Sequence, residues 1–400
     1  MPAFSEGYRP EIDGLRALAV IPVIFFHAGF EAFGGGFVGV DVFFVISGYL
    51  ITSIILRERD SGSFTLAGFY ERRARRLLPA LFLVLACCIP FGILILTPPV
   101  FEQFALGLVG SATFSSNVVF LEAAPAYFRS ADSELNPLLH TWSLAIEEQF
   151  YLVYPLFLLL LLKFSRTALW LTLSILMMSS FLFAVDYNDT SFTFFAPHAR
   201  FWELLIGVFV AIILHERGGP LLPENRLIGQ LAPILGLLMI LVPVFLIKSF
   251  DARPYIPVSV VALIPVLGTA LIILFSDTRT IIGRLLSLKP LVGIGLISYS
   301  AYLWHQPLLA FYKNVFIGRT ESFVLLLLCF LSLVVAYLNW RWVETPFRRR
   351  NRFTRRQIYV FSAIGCMFFS AVGASFYLLG DEFQIKNPNI APSSFADYRG

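Results

Sequence analysis

Long apolar runs broken by short polar, often basic, segments make up most of this chain. Crossing ~30 Å of hydrocarbon takes roughly 20 helical residues. Runs of that order lie near 13–31, 37–57, 77–96, 142–162, 168–186, 200–214, 228–247, 257–276, 290–313, 321–342 and 357–379. The pattern predicts an all-α integral membrane protein with about eleven transmembrane helices. A further run, 101–121, follows Pro98 and Pro99 and carries Glu102, Gln103, Ser111, Thr113, Ser115, Ser116 and Asn117. It is expected to lie along the outer face or dip into it, as an interfacial or re-entrant helix.

The distribution of basic residues favours that count. With 101–121 not spanning, the N-terminus and segments 57–76, 163–167, 215–227, 277–289 and 343–356 share one side and hold 20 Lys or Arg. The opposite segments hold 6. Positive charge accumulates on the cytoplasmic side, so the N-terminus is expected inside and the C-terminal segment outside. Letting 101–121 span would strand a basic cluster outside. The first run has no basic n-region and no small-residue exit, so no cleaved signal peptide is expected.

Composition agrees. The chain is 58% hydrophobic and 14% charged, with 42 Phe among 400 residues, where soluble domains run at roughly 45–50% and about 25%. A soluble multidomain protein, collagen, a disordered chain, a disulfide scaffold and a nucleic-acid-binding domain are all disfavoured. Cys87, Cys88, Cys329 and Cys366 fall inside apolar runs, where small apolar packing is the expected role. No metal-ligand spacing is present, and no metal is expected.

Ionisable residues inside apolar runs are costly and default to functional candidates. Arg16 and His27 lie eleven residues apart in the first run, on nearly one helical face and about 16 Å apart along the axis. That geometry suits a substrate entering from inside and reacting deeper; a snorkelling arginine and a histidine bonded to a neighbouring helix would show the same spacing. Gly34-Gly35-Gly36 precedes the second run and allows a tight turn and close approach of a ligand. Asp41 then enters that run and calls for a partner, His27 or an arginine. Ser47-Gly48 reads as close helix packing. Arg72, Arg73, Arg75 and Arg76 stand before the third run, either as an anchor or as a clamp for phosphate oxygens; the cluster at 348–352 reads as an anchor. Glu147 and Glu148 enter the fourth run side by side, about 100° apart around a helix, so at most one faces a given cavity. Arg200 and Glu203 are spaced to pair with each other. His305 is readable as structural or catalytic.

Several of these stretches together resemble the bacterial acyltransferase-3 family of integral membrane O-acyltransferases, in particular its O-antigen and peptidoglycan acetyltransferase branch. The matching stretches are Glu11 to Val20 and on to His27, Gly35 to Phe44, Arg73-Ala74-Arg75, Asn136 to Tyr151, and Ser298 to His305, in order over most of the first 345 residues. The resemblance implies transfer of an acyl group, usually acetyl, from cytoplasmic acyl-CoA to a hydroxyl of an extracytoplasmic glycan such as O-antigen or lipopolysaccharide. It implies a bacterial inner-membrane location. The family's basic-x10-His motif falls on Arg16 and His27, and its Arg-x-Arg motif on Arg73 and Arg75. Acyl-CoA is then expected at Arg73, Arg75 and Arg16. His27 is expected to act as general base or transient acyl acceptor, oriented by Asp41, Glu147 or Glu148. His140, Trp142 and His305 are candidate acceptor contacts.

The resulting organisation is a ten-span acyltransferase domain over 1–345, a basic loop and eleventh span over 346–379, and an extracytoplasmic linker over 380–400. Members of this branch often continue into an SGNH hydrolase-like domain, which is not expected within these 400 residues; such a domain in cis or trans is an implied partner. A transporter or flippase for a lipid-linked glycan is the competing reading, disfavoured by the lack of an evident inverted repeat.

Overall fold

The computed structural model describes residues 8–122, 135–187, 190–222, 226–247, 258–316, 321–349 and 351–379. The expected linker 380–400 lies outside them. The described residues are helical and contain no strand. In chain order the helices are α1 Pro10–Ala28, α2 Gly39–Asp60, α3 Leu66–Ile95, α4 Pro98–Ala112, α5 Ser116–Glu122, α6 Thr141–Leu161, α7 Arg166–Asp186, α8 Thr190–Phe195 and α9 Pro197–Arg217. There follow α10 Arg226–Leu246, α11 Val258–Phe275, α12 Ile281–Leu286, α13 Lys289–Leu296, α14 Ser298–Val315, α15 Ser322–Asn339, α16 Thr345–Arg348 and α17 Arg355–Leu378. A π-turn, Trp340–Glu344, joins α15 to α16.

Among the described residues, 8 helices are long and apolar enough to cross a membrane. The other three expected spans are helical but differ in kind. The first, α1, carries Glu11, Asp13 and Arg16 in its first two turns. At 18 residues, α11 is short. The run 290–313 divides between α13 and α14, and α14 contains His305, Gln306, Lys313 and Asn314. The run 101–121 divides between the 15-residue α4 and the 7-residue α5. The break falls at Phe114, whose φ of 53° no helix can continue through. At 1.5 Å per residue, α4 is shorter than a bilayer core.

Apolar side chains are exposed in helical rows: Leu152, Leu156 and Leu160 on α6, Leu171, Ile175 and Leu182 on α7, and Ile364 and Phe368 on α17. Rows of this size need an apolar solvent. Between the helices, contact depends on small residues, as is usual where lipid is the competing neighbour. A Cβ on Gly48 of α2 would stand 1.9 Å from the Leu204 carbonyl of α9, and one on Gly207 of α9 would stand 2.1 Å from the Val45 carbonyl of α2. The two backbones therefore touch at both glycines, as the Ser47-Gly48 reading expects for Gly48.

The glycine-rich turn serves the same end. A Cβ on Gly35 would meet the Pro243 carbonyl at 2.0 Å, and one on Gly36 the Pro22 carbonyl at 2.2 Å. The Gly35 amide donates to the Val244 carbonyl at 3.1 Å. What approaches these glycines is protein backbone from α1 and α10, which corrects the expectation of a ligand cradle there.

Replacing Gly207 by Leu should drive α2 and α9 apart, at a cost of about 1–3 kcal/mol or more. Thermal unfolding of the detergent-solubilised protein should fall accordingly, while Gly293→Ala, whose Cβ meets nothing within 4 Å, should leave it unchanged. Equal transitions for the two variants would show that the α2–α9 contact contributes nothing.

Candidate functional site

A cleft opens between α1, α2, α3, α6 and α14, with about 730 Å³ free of protein atoms, open space at its mouth included. Arg16, Arg73 and Arg76 gather in its wall, and Arg76 interacts electrostatically with both of the others. Arg16 pairs with Asp13 at 3.1 Å. The Arg73 guanidinium lies over the Tyr151 ring, 5.5 Å from its centre. The buried Arg76 Nε has no hydrogen-bond partner. Further along, the Ser47 and Tyr151 hydroxyls donate to the two oxygens of Glu147, each at 3.1 Å. Tyr302, which also lines the cleft, donates to the His140 carbonyl at 3.0 Å and lies 2.6 Å from the Ser143 hydroxyl.

Helical geometry decides which arginines face the cleft. Positions 73 and 76 lie one turn apart on one face of α3, and 75 lies about 100° from 76. Arg75 turns away instead. Its Nε donates to Glu71 at 3.0 Å, and its terminal nitrogens donate to the carbonyls of Phe347 at 3.2 Å and Phe353 at 2.6 Å. Arg75 therefore staples α3 to the loop before α17, and Arg76 stands in the cleft where the sequence reading put Arg75.

Other expected site residues also take different places. Of its two expected partners, Asp41 takes an arginine and not His27. It accepts from the guanidinium of Arg200, which also pairs with Glu203 at 3.1 Å. All three side chains are buried, because a charge this deep persists only beside an opposite one. Trp142 is not in the cleft lining among the described residues. It packs against Phe44, Phe194 and Phe195, with the Arg200 guanidinium 5.8 Å from its ring centre. Glu147 faces the cleft; Glu148, one position on, does not line it and leaves its buried Oε1 without a hydrogen bond.

Behind Tyr302, three histidines from three parts of the chain converge. The rings of His27 and His305 are 5.1 Å apart between centroids, those of His140 and His305 5.3 Å, and His140 and His305 each lie 5.4 Å from Tyr302. His27 Nδ1 is 2.9 Å from the Val23 carbonyl and 3.3 Å from His305 Nε2. Among the described residues no group of His, Cys, Asp or Glu has the geometry to hold a metal, so the cluster offers acid–base and hydrogen-bonding chemistry. Three guanidinium groups in one cleft suit a polyanion.

Sequence reasoning named each histidine but did not bring them together. It counted Arg76 only as one of four clamp arginines and assigned the donor to Arg73 and Arg75; it passed over Ser47, Tyr151 and Tyr302 as site residues, and also Glu344, buried on the π-turn, where it accepts from Ser300 at 3.2 Å. The signal for Arg76 was present as its i,i+3 spacing from Arg73, and that for Tyr302 as its i,i+3 spacing from His305. Glu344 had none, since its direction depends on a local π-turn.

Comparison with known proteins places the chain. Residues 9–341 match the acyltransferase domain of the acyltransferase-3 type. The peptidoglycan O-acetyltransferase OatA of Listeria monocytogenes is 32% identical over 358 residues, covering 87% of this chain and 57% of that protein. The O-acetyltransferase OatA of Staphylococcus aureus is 33% identical over 357 residues, covering 87% of this chain and 58% of that protein. The chain thus spans somewhat over half the length of these relatives. No solved structure matches it. With the family's residues spread over the helices that build the cleft and the histidine cluster, this chain belongs to the acyltransferase-3 family of membrane proteins.

Proposed function

We propose that this chain is a membrane O-acetyltransferase that moves an acetyl group from cytoplasmic acetyl-CoA to a hydroxyl of a cell-envelope glycan. The observation that carries the proposal is the juxtaposition of a three-arginine cleft with a histidine cluster behind its far wall, in a chain of this family. The name of the Listeria relative favours peptidoglycan over the O-antigen or lipopolysaccharide implied by the sequence resemblance.

In this reading the CoA phosphates sit against Arg16, Arg73 and Arg76, and the pantetheine arm runs past Ser47 and Glu147 toward Tyr302. His27 takes the proton from the acceptor hydroxyl as its oxygen attacks the thioester carbonyl. The acyl–sulfur bond breaks, and CoA leaves as a thiolate that is then protonated. The bias of basic residues supports a cytoplasmic N-terminus and a cytoplasmic arginine end of the cleft, and the family resemblance supports a bacterial inner-membrane location. An SGNH-type domain, in cis or trans, is the expected partner for final delivery to the glycan. Under the competing flippase reading, the same residues would line a path for a lipid-linked glycan and no acyl donor would be consumed.

Two experiments test this. Glycan O-acetylation, read by mass spectrometry at matched membrane levels, should appear with the wild-type chain and be lost with His27→Ala. His27→Ala that keeps full acetylation would remove the core of the scheme. If wild type gives no acetyl, an SGNH-type domain supplied in trans should restore it; failure to do so would count against the enzyme reading. Separately, Arg73→Gln and Arg76→Gln should each weaken acetyl-CoA binding to the detergent-solubilised chain about tenfold, the scale of one charge-assisted contact. Arg75→Gln should lower thermal stability and leave that affinity unchanged.

A further inference from the structure

Arg348 opens the basic cluster before α17, which the sequence pattern reads as an anchor, but its surroundings tie it to the cleft. Its backbone is fixed. The neighbouring Phe347 carbonyl accepts from Arg75 at 3.2 Å, and the Phe347 ring stacks on Phe353 and packs against Phe361. Four positions earlier, the buried Glu344 interacts electrostatically with Arg16 and Arg76 of the cleft. Residues four apart share a helical face, so Arg348 continues that face about 6 Å further out along the helix axis. There it interacts electrostatically with Arg76 and with Asp13, the partner of Arg16. Its guanidinium holds Glu344 loosely, at 3.4 Å, and its side chain is 48% exposed. The backbone is bolted to α3 while the charged head stays open to a ligand.

The donor of the reading above carries anionic charge in two separate places. In CoA a diphosphate joins the pantetheine arm to the 5′ carbon of adenosine, and a second phosphate sits on the 3′ oxygen of the ribose. With the arm running past Ser47 and Glu147 toward Tyr302, and the diphosphate against Arg16, Arg73 and Arg76, the ribose lies on the side of the diphosphate away from Tyr302. The 3′-phosphate then falls at the rim, beside Arg348. A phosphate monoester carries a charge of about −1.5 to −2 near neutrality, and a guanidinium presents two N–H groups to it at once. Turning the guanidinium from Glu344 to that phosphate strands no buried carboxylate, because Glu344 keeps the Ser300 hydroxyl at 3.2 Å and the charges of Arg16 and Arg76.

We infer that Arg348 binds the 3′-phosphate of the donor nucleotide, and that this contact makes the cleft selective for CoA over 3′-dephospho-CoA. The inference rests on the acyl-CoA reading and adds to it a second phosphate site, outside the three-arginine cleft.

Calorimetric titration of the detergent-solubilised full chain with CoA and with 3′-dephospho-CoA tests it. Wild type should bind CoA about tenfold more tightly, the scale of one charge-assisted contact. Arg348→Gln should bind both ligands alike, at the wild-type affinity for 3′-dephospho-CoA. Arg348→Met, which fills similar space without a donor, should do the same. Arg76→Gln should weaken both ligands together and leave the preference in place. Arg352→Gln removes an equal charge from the exposed loop nearby and should alter neither affinity. A preference for CoA that survives Arg348→Gln or Arg348→Met would overturn the inference. So would equal weakening of both ligands by those variants, or a wild type that does not distinguish the two. Failure of wild type to bind either ligand would instead fail the acyl-CoA reading, and the inference with it.

Discussion

Everything in this molecule depends on how closely α2 and α9 approach. With glycine at 48 and 207, each helix lays a carbonyl where the other would have a side chain. Lipid competes with protein for apolar surface on equal terms, so association rests on backbone proximity and on polar pairs that have no alternative partner. The same contact brings Asp41 of α2 to Arg200 and Glu203 of α9. The Arg200 guanidinium then lies among the rings of Phe44, Trp142 and Phe194, at 5.5–5.8 Å from their centres. Trp142 is two positions from His140, so the α2–α9 contact, which sits on the helix that also lines the cleft, bears on where the histidine cluster sits.

Charge is handled in three distinct ways. The Asp41–Arg200–Glu203 group pairs internally, with the Arg200 guanidinium against the rings of Phe44, Trp142 and Phe194. Arg75 is spent on Glu71 and two carbonyls, so its charge serves as mortar between segments. Arg73 and Arg76 stay in an open cleft, Arg76 with a buried nitrogen unpartnered. Removing a member of the first two groups leaves its buried partners unsatisfied, whereas removing one of the third leaves the fold's own pairs intact. The pairs that hold the fold and the groups that line the cleft therefore fall on different arginines of a single short stretch of α3.

Much of the fold was legible in the sequence, because apolar runs and their lengths report directly on the solvent around them. Each expected span is helical, and the division of 101–121 follows from its polar residues. What the runs could not show is where a helix is kept together or cut: α13 and α14 read as one run, and α3 begins at Leu66, ahead of its apolar stretch, because its arginines find carboxylate and carbonyl partners. At the site, residue types were legible and partners were not. Asp41 advertised a need for a counter-charge, but Arg200 lies 159 positions away, a separation no local pattern encodes. His27 and His305 are 278 positions apart, and their meeting is a product of packing alone.

The family match ends at residue 341, yet α17 packs against α3 and α4. Gly373 abuts the Ala105 carbonyl, Gly365 abuts the Phe82 ring, Arg355 donates to Glu71 at 2.8 Å and Tyr359 to the Ala67 carbonyl at 2.8 Å. These contacts run along α3 and α4 from one end of α17 to the other. Mechanically it is a mast and not a tether. The point at which the chain leaves Leu378 is set by the same α3 that carries Arg73 and Arg76.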